Sequence, residues 1–210
     1  MQANLFAGDV AVDATFTRAV RTPLDAASWV EHVPGWMSGA AAVFDELARV
    51  VPWKQHRREL YGQWFLEPRL TAEYRDLGEA PQPLRAAAAA LSRHYRVPYD
   101  SLWLNLYRDG RDSTGWHRDR FSCRRPECVV PVLSLGAPRR FLVKPRAGGA
   151  SFGWTPRSGD LVVMGGRSQQ DFVHGVPKSA GPASARISVN FQSSAQARRQ
   201  VSARGRPRGR

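Results

Sequence analysis

Two kinds of apolar spacing divide this 210-residue chain. Over residues 39–50 the apolar positions recur three or four residues apart, which predicts an amphipathic helix. The Ala-rich stretch 84–95 follows two prolines and predicts a second helix. A further helix is expected from Thr22 to about His32, and residues 60–72 are expected to form one or two strands. Residues 1–100 are therefore predicted to be helical or extended.

Short apolar runs separated by Gly, Pro and Arg turns follow Ser101. The strands that these runs predict cover residues 102–107, 129–135, 140–144, 160–164, 171–176 and 186–192. Helices that precede many short strands are typical of an α+β domain. An eight-stranded double-sheet barrel would use this many strands.

The length fits one domain, and 42% hydrophobic residues are enough to bury a core. We assign the domain to residues 1–192, with the helical and extended part over 1–100 and the strand-rich core over 101–192. No apolar run reaches the roughly 20 residues of a membrane span. The first residues do not have the pattern of a signal peptide. We expect a cytoplasmic protein without a membrane partner, and a monomer.

The net charge of +13 is concentrated in the second half of the chain. Residues 1–100 hold 11 basic and 12 acidic side chains, whereas residues 101–210 hold 20 basic and 6 acidic ones. Arg supplies nearly all of the excess, and its planar fork suits bidentate contacts with phosphate. Nucleic acid is the natural partner for such a charge, although an Arg-rich protein need not bind it.

Residues 193–210 contain six Arg and no acidic residue. We expect them to be a disordered tail that either follows a phosphate backbone or is simply a solvated chain end. The two cysteines, Cys123 and Cys128, are five residues apart. They are expected to be reduced thiols in a loop rather than metal ligands.

One short segment carries the candidate chemistry. His117 and Asp119 are two residues apart, so on a strand their side chains would point to the same side and could bind one metal ion. Of the five histidines, only His174 shares the strand-rich half with His117. Two His and one carboxylate form the arrangement of non-haem iron(II) oxygenases. Arg186, twelve residues past His174, could bind a carboxylate of a second substrate such as 2-oxoglutarate, or could be a surface strand residue.

At these residues the sequence resembles the AlkB-type 2-oxoglutarate- and iron(II)-dependent dioxygenases, over roughly residues 60–192. The motifs that carry the resemblance are Pro68-Arg69-Leu70-Thr71, Asn105-x-Tyr107-x-Asp109-Gly110-x-Asp112, Trp116-His117-x-Asp119, Leu133-Ser134-Leu135-Gly136-Ala137, Arg140-Phe141, Gly159-Asp160-Leu161-Val162-Val163-Met164-Gly165-Gly166, His174-x-Val176-Pro177-Lys178 and Arg186-Ile187-Ser188. Their order and spacing together are far more specific than His-x-Asp alone.

The resemblance implies a double-stranded β-helix, or jelly-roll, core with the N-terminal helices packed on it. It implies that His117, Asp119 and His174 bind iron and are the catalytic centre. It also implies O2 and 2-oxoglutarate as cosubstrates, and the residues that would hold 2-oxoglutarate are Asn105, Tyr107, Arg186, Ser188 and Gln192. Family members mostly remove N-alkyl groups from DNA or RNA bases by oxidation, which requires the base to be flipped into the pocket.

Three positions depart from the family pattern. Gln192 stands where a second Arg usually contacts 2-oxoglutarate, though an amide can still donate a hydrogen bond. Phe121 stands where DNA-repair members often have an acidic residue that helps to read the base. The aromatic stretch that usually follows Pro-Arg-Leu-Thr is shortened, and Tyr74 is its only aromatic residue.

Several further residues are candidates for contact with a substrate. Trp116 could bind substrate or could be a packing residue on the opposite face of its strand. The arginines beside the metal motif could line a phosphate groove or solvate a loop. Trp103 and Phe141 are expected in the core, and His56 and His94 at the surface. The candidate substrate-binding residues are Arg69, Tyr74, Trp116, Arg118, Arg120 and Arg140.

Three functions stay open at this stage. The first is oxidative demethylation of alkylated bases in DNA or RNA. The second is the same chemistry on a protein or small molecule, which the shortened aromatic stretch and Phe121 favour. The third is a nucleic-acid-binding module without turnover, which the intact triad disfavours.

Overall fold

The computed structural model describes residues 10–60, 62–119 and 123–198. The strands in these ranges are β1 Val20–Pro23, β2 Ser28–Val33, β3 Arg57–Leu60, β4 Gln63–Leu66, β5 Leu70–Tyr74, β6 Ser101–Tyr107, β7 Thr114–His117, β8 Val130–Gly136, β9 Phe141–Pro145, β10 Phe152–Trp154, β11 Leu161–Gly166, β12 Phe172–Val176 and β13 Arg186–Gln192. The helices are α1 Ala40–Val50, α2 Gln82–Tyr95, α3 Ser168–Asp171 and α4 Ser194–Ala197, with a 3-10 turn at Leu77–Glu79.

The strands form two main antiparallel sheets and a separate hairpin. The large sheet has the order β1-β2-β11-β8-β13-β6-β5, and the small sheet has the order β10-β9-β12-β7. Among the described residues, strands β3 and β4 pair only with each other. The protein is thus mostly antiparallel sheet with few helices. None of the helices in the described ranges combines the length and the apolar character needed to cross a membrane.

The large sheet has a different environment on each face because successive side chains alternate. On β6, Leu102, Leu104 and Leu106 are buried in the cluster that also holds the apolar faces of α1 and α2. The intervening Asn105 and Tyr107 point toward the small sheet and line a cavity. A second apolar cluster, which includes Val130, Val143 and Phe172, lies between the two sheets. The cavity therefore opens from the space between the sheets.

The helices expected over 39–50 and 84–95 are present as α1 and α2, and each of the six strands expected after Ser101 has a counterpart. The helix expected from Thr22 to His32 is wrong. That segment forms the β1–β2 hairpin, and β2 pairs with β11 through Val30 and Val33. Both of those valines are fully buried, so pairing with a strand on each side, together with burial, outweighs the local helix signal of Pro23.

Two further expectations are also wrong. Cys123 and Cys128 are joined by a disulfide, and both are buried between the sheets. The first part of the expected tail is folded, because Ser194–Ala197 is helical and Gln196 is buried. The Gln196 side chain donates to the Val129 carbonyl and accepts from the Val129 N–H. Residues 199–210 lie outside the described ranges.

Candidate metal and cosubstrate site

A cavity of about 830 Å³ lies between the two sheets. Its walls come from β6 and β13 of the large sheet and from β7 and β12 of the small sheet. Phe141, Val130 and Val132 provide apolar surface, and the remaining lining is largely polar. A pocket of this size and mixed lining is typical of a small-molecule site.

The structure brings His117, Asp119 and His174 together in this cavity. His117 on β7 is directly opposite His174 on β12, and their ring centroids are 4.2 Å apart. Asp119 Oδ1 is 3.7 Å from His117 Nε2, and Asp119 Oδ2 is 3.5 Å from His174 Nε2. One donor atom from each residue lies within 4.8 Å of the others, so the three could hold one metal ion.

The neighbouring backbone and side chains orient these groups. His117 Nδ1 is 2.8 Å from the Gly115 carbonyl, to which it donates, so the lone pair is left on Nε2, facing Asp119. The Asp119 N–H donates to Oε1 of Gln169, a buried residue of α3. Gly175 lets β7 approach β12, since a Cβ there would lie 2.8 Å from the Thr114 carbonyl oxygen.

The electrostatics of the triad suit a cation. Burial, together with repulsion from His174, lowers the pKa of His117 to about 4. The His117 imidazole can therefore be a neutral ligand at neutral pH. Burial by itself would raise the pKa of Asp119, but the attraction and hydrogen bonding of His174 outweigh it, and the pKa is lowered. Asp119 is accordingly an anionic ligand.

Arg186 is buried at the large-sheet side of the same cavity, with 2% of its surface exposed. Its Nη2 donates to Ser134 Oγ over 2.9 Å, but Nε and Nη1 are buried without a hydrogen-bond partner in the described parts of the chain. An unpaired buried cation is costly. The side chain is therefore suited to bind an anion that enters the cavity.

The other residues expected at the cosubstrate also line the cavity. Asn105 Nδ2 donates to Ser188 Oγ, and Asn105 Oδ1 accepts from Arg69 Nε and from Trp103 Nε1. Tyr107 Oη shares a hydrogen bond with Thr114 Oγ1. Gln192 lies at the end of β13, six residues from Arg186, and so at about 20 Å along the strand.

The residues expected to contact substrate do not all lie at the cavity. Arg69, Trp116 and Arg118 line it. Tyr74 does not: it lies on the helix-facing side of β5 and packs against the main core. Arg140 is exposed and also lies outside the lining, because the buried arginine of that turn is Arg139.

Arg120 and Phe121 lie outside the described residues, so the structure does not locate these two predictions. Trp116 is 45% exposed at the cavity rim, and Lys144 Nζ is 4.4 Å from its ring centroid. Trp116 is therefore not a buried packing residue. Phe141 is buried in the core cluster between the sheets, as expected, and also lines the cavity. Trp103, expected in the core, is half-buried in the cavity lining. His56, expected at the surface, is exposed but contributes to the same lining.

Sequence reasoning missed several residues around the site. Glu67 and Glu73 line the cavity, and Arg139 donates to the carbonyls of Asp109, Asp112 and Pro177. The β3–β4 hairpin, whose flanking residues His56 and Glu67 line the cavity, exposes the apolar side chains Trp64, Phe65 and Leu66. The sequence contains a signal for this exposed apolar surface, because three consecutive large apolar residues lie shortly before Pro68. The family pattern does not point to them, since it places its aromatic stretch after Pro68.

The sequence also matches the family model described as the 2OG-Fe(II) oxygenase superfamily over residues 31–199. This chain belongs to that superfamily. Within it the chain is of the AlkB type, in agreement with the relatives below. The cofactors of the superfamily are Fe(II) and 2-oxoglutarate, with O2 as the other cosubstrate. The His117–Asp119–His174 donor set and the unpartnered N–H groups of Arg186 fit a metal and a carboxylate.

Similar curated proteins include "Alpha-ketoglutarate-dependent dioxygenase alkB homolog 3" from Bos taurus, 29% identical over 76% of this chain and 64% of the relative. The Homo sapiens protein of the same name is 28% identical over the same two shares. "DNA oxidative demethylase ALKBH2" from Arabidopsis thaliana is 26% identical over 71% of this chain and 60% of the relative. The chain thus spans less than two thirds of the length of these relatives.

Among solved structures, an oxidoreductase of the 2OG-Fe(II) oxygenase family from Burkholderia pseudomallei is similar to this chain. Its TM-score is 0.52 at 16% sequence identity, over 80% of this chain and 88% of that one. At this identity the likeness supports the fold alone.

Proposed function

We propose that this protein is an Fe(II)- and 2-oxoglutarate-dependent dioxygenase that removes alkyl groups from nucleic-acid bases by oxidation. The observation that carries the proposal is the content of one cavity: a His-Asp-His donor set and a buried Arg186 with two unpartnered nitrogens. A binding module without turnover has no need of either feature. The names of the relatives, which include a DNA oxidative demethylase, support the same chemistry.

In this proposal His117, Asp119 and His174 are the catalytic metal ligands, and three coordination positions are left for cosubstrates. Fe(II) with 2-oxoglutarate supplies the activation of O2 that oxidises a C–H bond, with release of CO2 and succinate. Arg186 binds one carboxylate of 2-oxoglutarate through Nε and Nη1, while Ser134 holds its Nη2. Asn105, Ser188 and Tyr107 shape the remaining wall, and Phe141 limits water next to His174.

The finer fold assignment, a jelly roll, rests on how consecutive strands alternate between the sheets. From β6 to β13, four strands join the large sheet and four join the small sheet. This is the strand distribution of a double-sheet jelly roll. It supports the site proposal because His117 and His174 lie on the small sheet, Asp119 follows β7 of that sheet, and the carboxylate-binding arginine lies on the large sheet.

Three features support a nucleic-acid substrate. The second half of the chain carries most of the positive charge. The β3–β4 hairpin exposes Trp64, Phe65 and Leu66, and apolar side chains beside a cavity can stack on bases or separate them. Trp116 and Arg118 lie at the rim, where a base entering from a strand would pass. We infer that the substrate is a base flipped out of a polymer.

The test is a succinate-release and formaldehyde assay on a panel of N-methylated DNA and RNA oligonucleotides, single- and double-stranded. We expect both products in equal amounts, with oligonucleotides that lack the methyl group as the control. Succinate release that no oligonucleotide stimulates, but a protein or small molecule does, would favour the alternative substrate class. Absence of succinate release and of iron-dependent 2-oxoglutarate binding would contradict the enzyme proposal itself.

A further inference from the structure

We propose that Arg69 is the second cation of the 2-oxoglutarate site, binding the carboxylate that Arg186 does not. This inference rests on the proposed function. It assigns Arg69 to the cosubstrate, whereas the sequence placed it among the substrate-binding candidates. Three features support it: the charges along the cavity wall, the hydrogen bonds of Asn105 and the part of the Arg69 guanidinium that remains available.

The charge distribution on β13 creates the need for a second cation. 2-Oxoglutarate is a dianion with a carboxylate at each end, and a carboxylate is best bound by a charge-assisted hydrogen bond. Arg186 is the one charged residue of its strand, and the next cavity-lining positions, Ser188, Asn190 and Gln192, are all neutral. The metal held by the triad would attract one carboxylate directly, but β13 has no second cation to support that contact. A second protein cation must therefore come from a different strand.

Strand β5 brings such a cation to the same face. In the β5–β6 pairing, Thr71 is opposite Asn105, so Thr71 and the positions two residues away from it share the cavity side. Arg69 is one of those positions, immediately before β5 begins, and it lines the cavity. Its side chain is 16% exposed, so a contact there is only weakly screened by water.

A line of hydrogen bonds connects Arg69 to the Arg186 strand. Arg69 Nε donates to Asn105 Oδ1 over 3.0 Å, and Asn105 Nδ2 donates to Ser188 Oγ over 3.1 Å. Ser188 is two residues from Arg186 on the same face of β13. The guanidinium of Arg69 is thus fixed on the same cavity wall as Arg186, on the opposite side of Asn105 from Ser188.

Part of the Arg69 guanidinium remains available for a ligand. The described contacts use Nε for Asn105 and Nη2 for Glu67 Oε2, 3.1 Å away, while none of them uses Nη1. Glu67 neutralises Arg69 in the structure, so a carboxylate bound there would compete with Glu67 for the same charge. Arg118 is a weaker candidate because its Nη1 is directed toward the Gln170 carbonyl, beside the small sheet.

The experiment is an anaerobic titration of the Fe(II)-loaded protein with 2-oxoglutarate, followed by the visible charge-transfer band of the complex. This readout measures binding without turnover. We expect Arg69→Ala to raise the Kd for 2-oxoglutarate about tenfold or more, as the removal of a charge-assisted hydrogen bond should. Arg85→Ala, which removes an exposed arginine of α2, is the matched control and should leave the Kd unchanged.

Two more variants separate ligand binding from a purely structural role. Arg69→Lys keeps the charge without the planar fork and should retain part of the affinity that Arg69→Ala removes. Glu67→Gln removes the competing carboxylate and should lower the Kd, a gain that a structural role for Arg69 would not produce. Because Glu67→Gln keeps Arg69, it tests the proposal even if Arg69→Ala does not fold.

The failures of the two proposals are distinguishable. If the unchanged protein gives no charge-transfer band, the proposed function fails. If it gives the band but Arg69→Ala binds 2-oxoglutarate within twofold of the unchanged protein, only the assignment of Arg69 is overturned. A Kd that Glu67→Gln leaves unchanged or raises would overturn that assignment as well.

Discussion

His117 and His174 lie on neighbouring strands, and hydrogen bonds with nearby groups orient His117 and Asp119. Gly115 fixes the ring of His117, and Gln169 holds the backbone of Asp119. Such supporting contacts decide how well three ligands converge, since ligand type alone does not set geometry. Substitutions of single residues therefore test metal binding most directly.

Replacing any one ligand should remove metal binding. We expect His117→Ala, Asp119→Ala and His174→Ala each to lose iron and succinate release, because each supplies one of only three protein ligands. Iron content and succinate release would be measured on purified protein, with circular dichroism to check folding. His56→Ala, which removes a cavity histidine outside the triad, should keep its iron. Full activity in any ligand variant would remove that residue from the site.

Arg186 and Gln192 should differ in their effect on 2-oxoglutarate. We expect Arg186→Ala to raise the KM for 2-oxoglutarate strongly, since a charge-assisted contact contributes about 1.5–3 kcal/mol, against about 1 kcal/mol for a neutral one. Gln192→Ala should have the smaller effect. Arg186→Lys keeps the charge without the planar fork and should fall between wild type and Arg186→Ala. Equal effects of the two Ala substitutions would show that the residue assignment is wrong.

Among the secondary-structure elements, the β3–β4 hairpin stands out because it pairs with neither main sheet. Trp64 is 61% exposed and Leu66 is 59% exposed, which is unusual for large apolar side chains that come in succession. The backbone hydrogen bond from Glu67 to His56 closes the base of the hairpin at the cavity rim. The hairpin is thus positioned to contact whatever enters the cavity.

Substitutions in this hairpin should affect substrate binding and little else. We expect Trp64→Ala and Phe65→Ala each to weaken oligonucleotide binding by about 1–3 kcal/mol, the usual range for loss of stacking on a base. Fluorescence anisotropy would give the affinity, and 2-oxoglutarate binding should not change. Val20→Ala, at an exposed apolar site on β1, is the control. Unaltered oligonucleotide affinity in both hairpin variants would argue for a different class of substrate.

The disulfide belongs to the segment that follows Asp119. The Cys123 N–H donates to the Asp119 carbonyl, so the disulfide lies one hydrogen bond from a proposed metal ligand. For a loop this short, the chain-entropy account gives about 2 kcal/mol of stabilisation. We expect Cys123→Ser with Cys128→Ser to lower the free energy of unfolding by this order, measured by urea denaturation. A reducing agent should lower the stability of the unchanged protein but not that of the double variant.

Across the entire protein, charge is the property that matters most for a polymeric partner. The excess of Arg in residues 101–210 predicts binding that weakens as salt rises. The folded helix α4 changes how the tail should be tested, because Gln196 holds Val129 and removing it would disturb the start of β8. A truncation intended to remove charge alone must therefore begin after Arg198.

Deleting residues 199–210, which include five of the six Arg, should weaken oligonucleotide binding on all sequences alike. Each phosphate that the shortened chain no longer neutralises should flatten the slope of log affinity against log salt by about 0.9 on duplex and about 0.7 on single strands. Anisotropy at several salt concentrations, with iron omitted, measures the slope. Deleting residues 193–210 should in addition lower thermal stability. If the oligonucleotide affinity of the full chain did not change with salt concentration, this would contradict the proposed nucleic-acid binding.

Local spacing in the amino-acid sequence was sufficient to predict several parts of this protein. A period-3.6 pattern located α1, and an Ala-rich stretch after two prolines located α2. Short apolar runs between turns located six of the eight described strands that follow residue 100, and β7 and β10 were missed. The two-residue step between His117 and Asp119, with the distal His174, was enough to nominate the metal site. These features could be predicted because the relevant information lies within a few neighbouring residues, or in motifs whose order is specific.

Three-dimensional packing was needed to establish which face of a strand meets the cavity and which segments pair. Pairing with β11 made a strand of residues 28–33, where the local signal favoured a helix. Because side chains alternate along β5, Tyr74 faces the core and Glu73 faces the cavity. Which side is the core depends on what packs against each face of the sheet. Likewise, the hydrogen bonds of Asn105 with Arg69 and Ser188 join groups whose proximity the fold creates, so no local pattern could have revealed them.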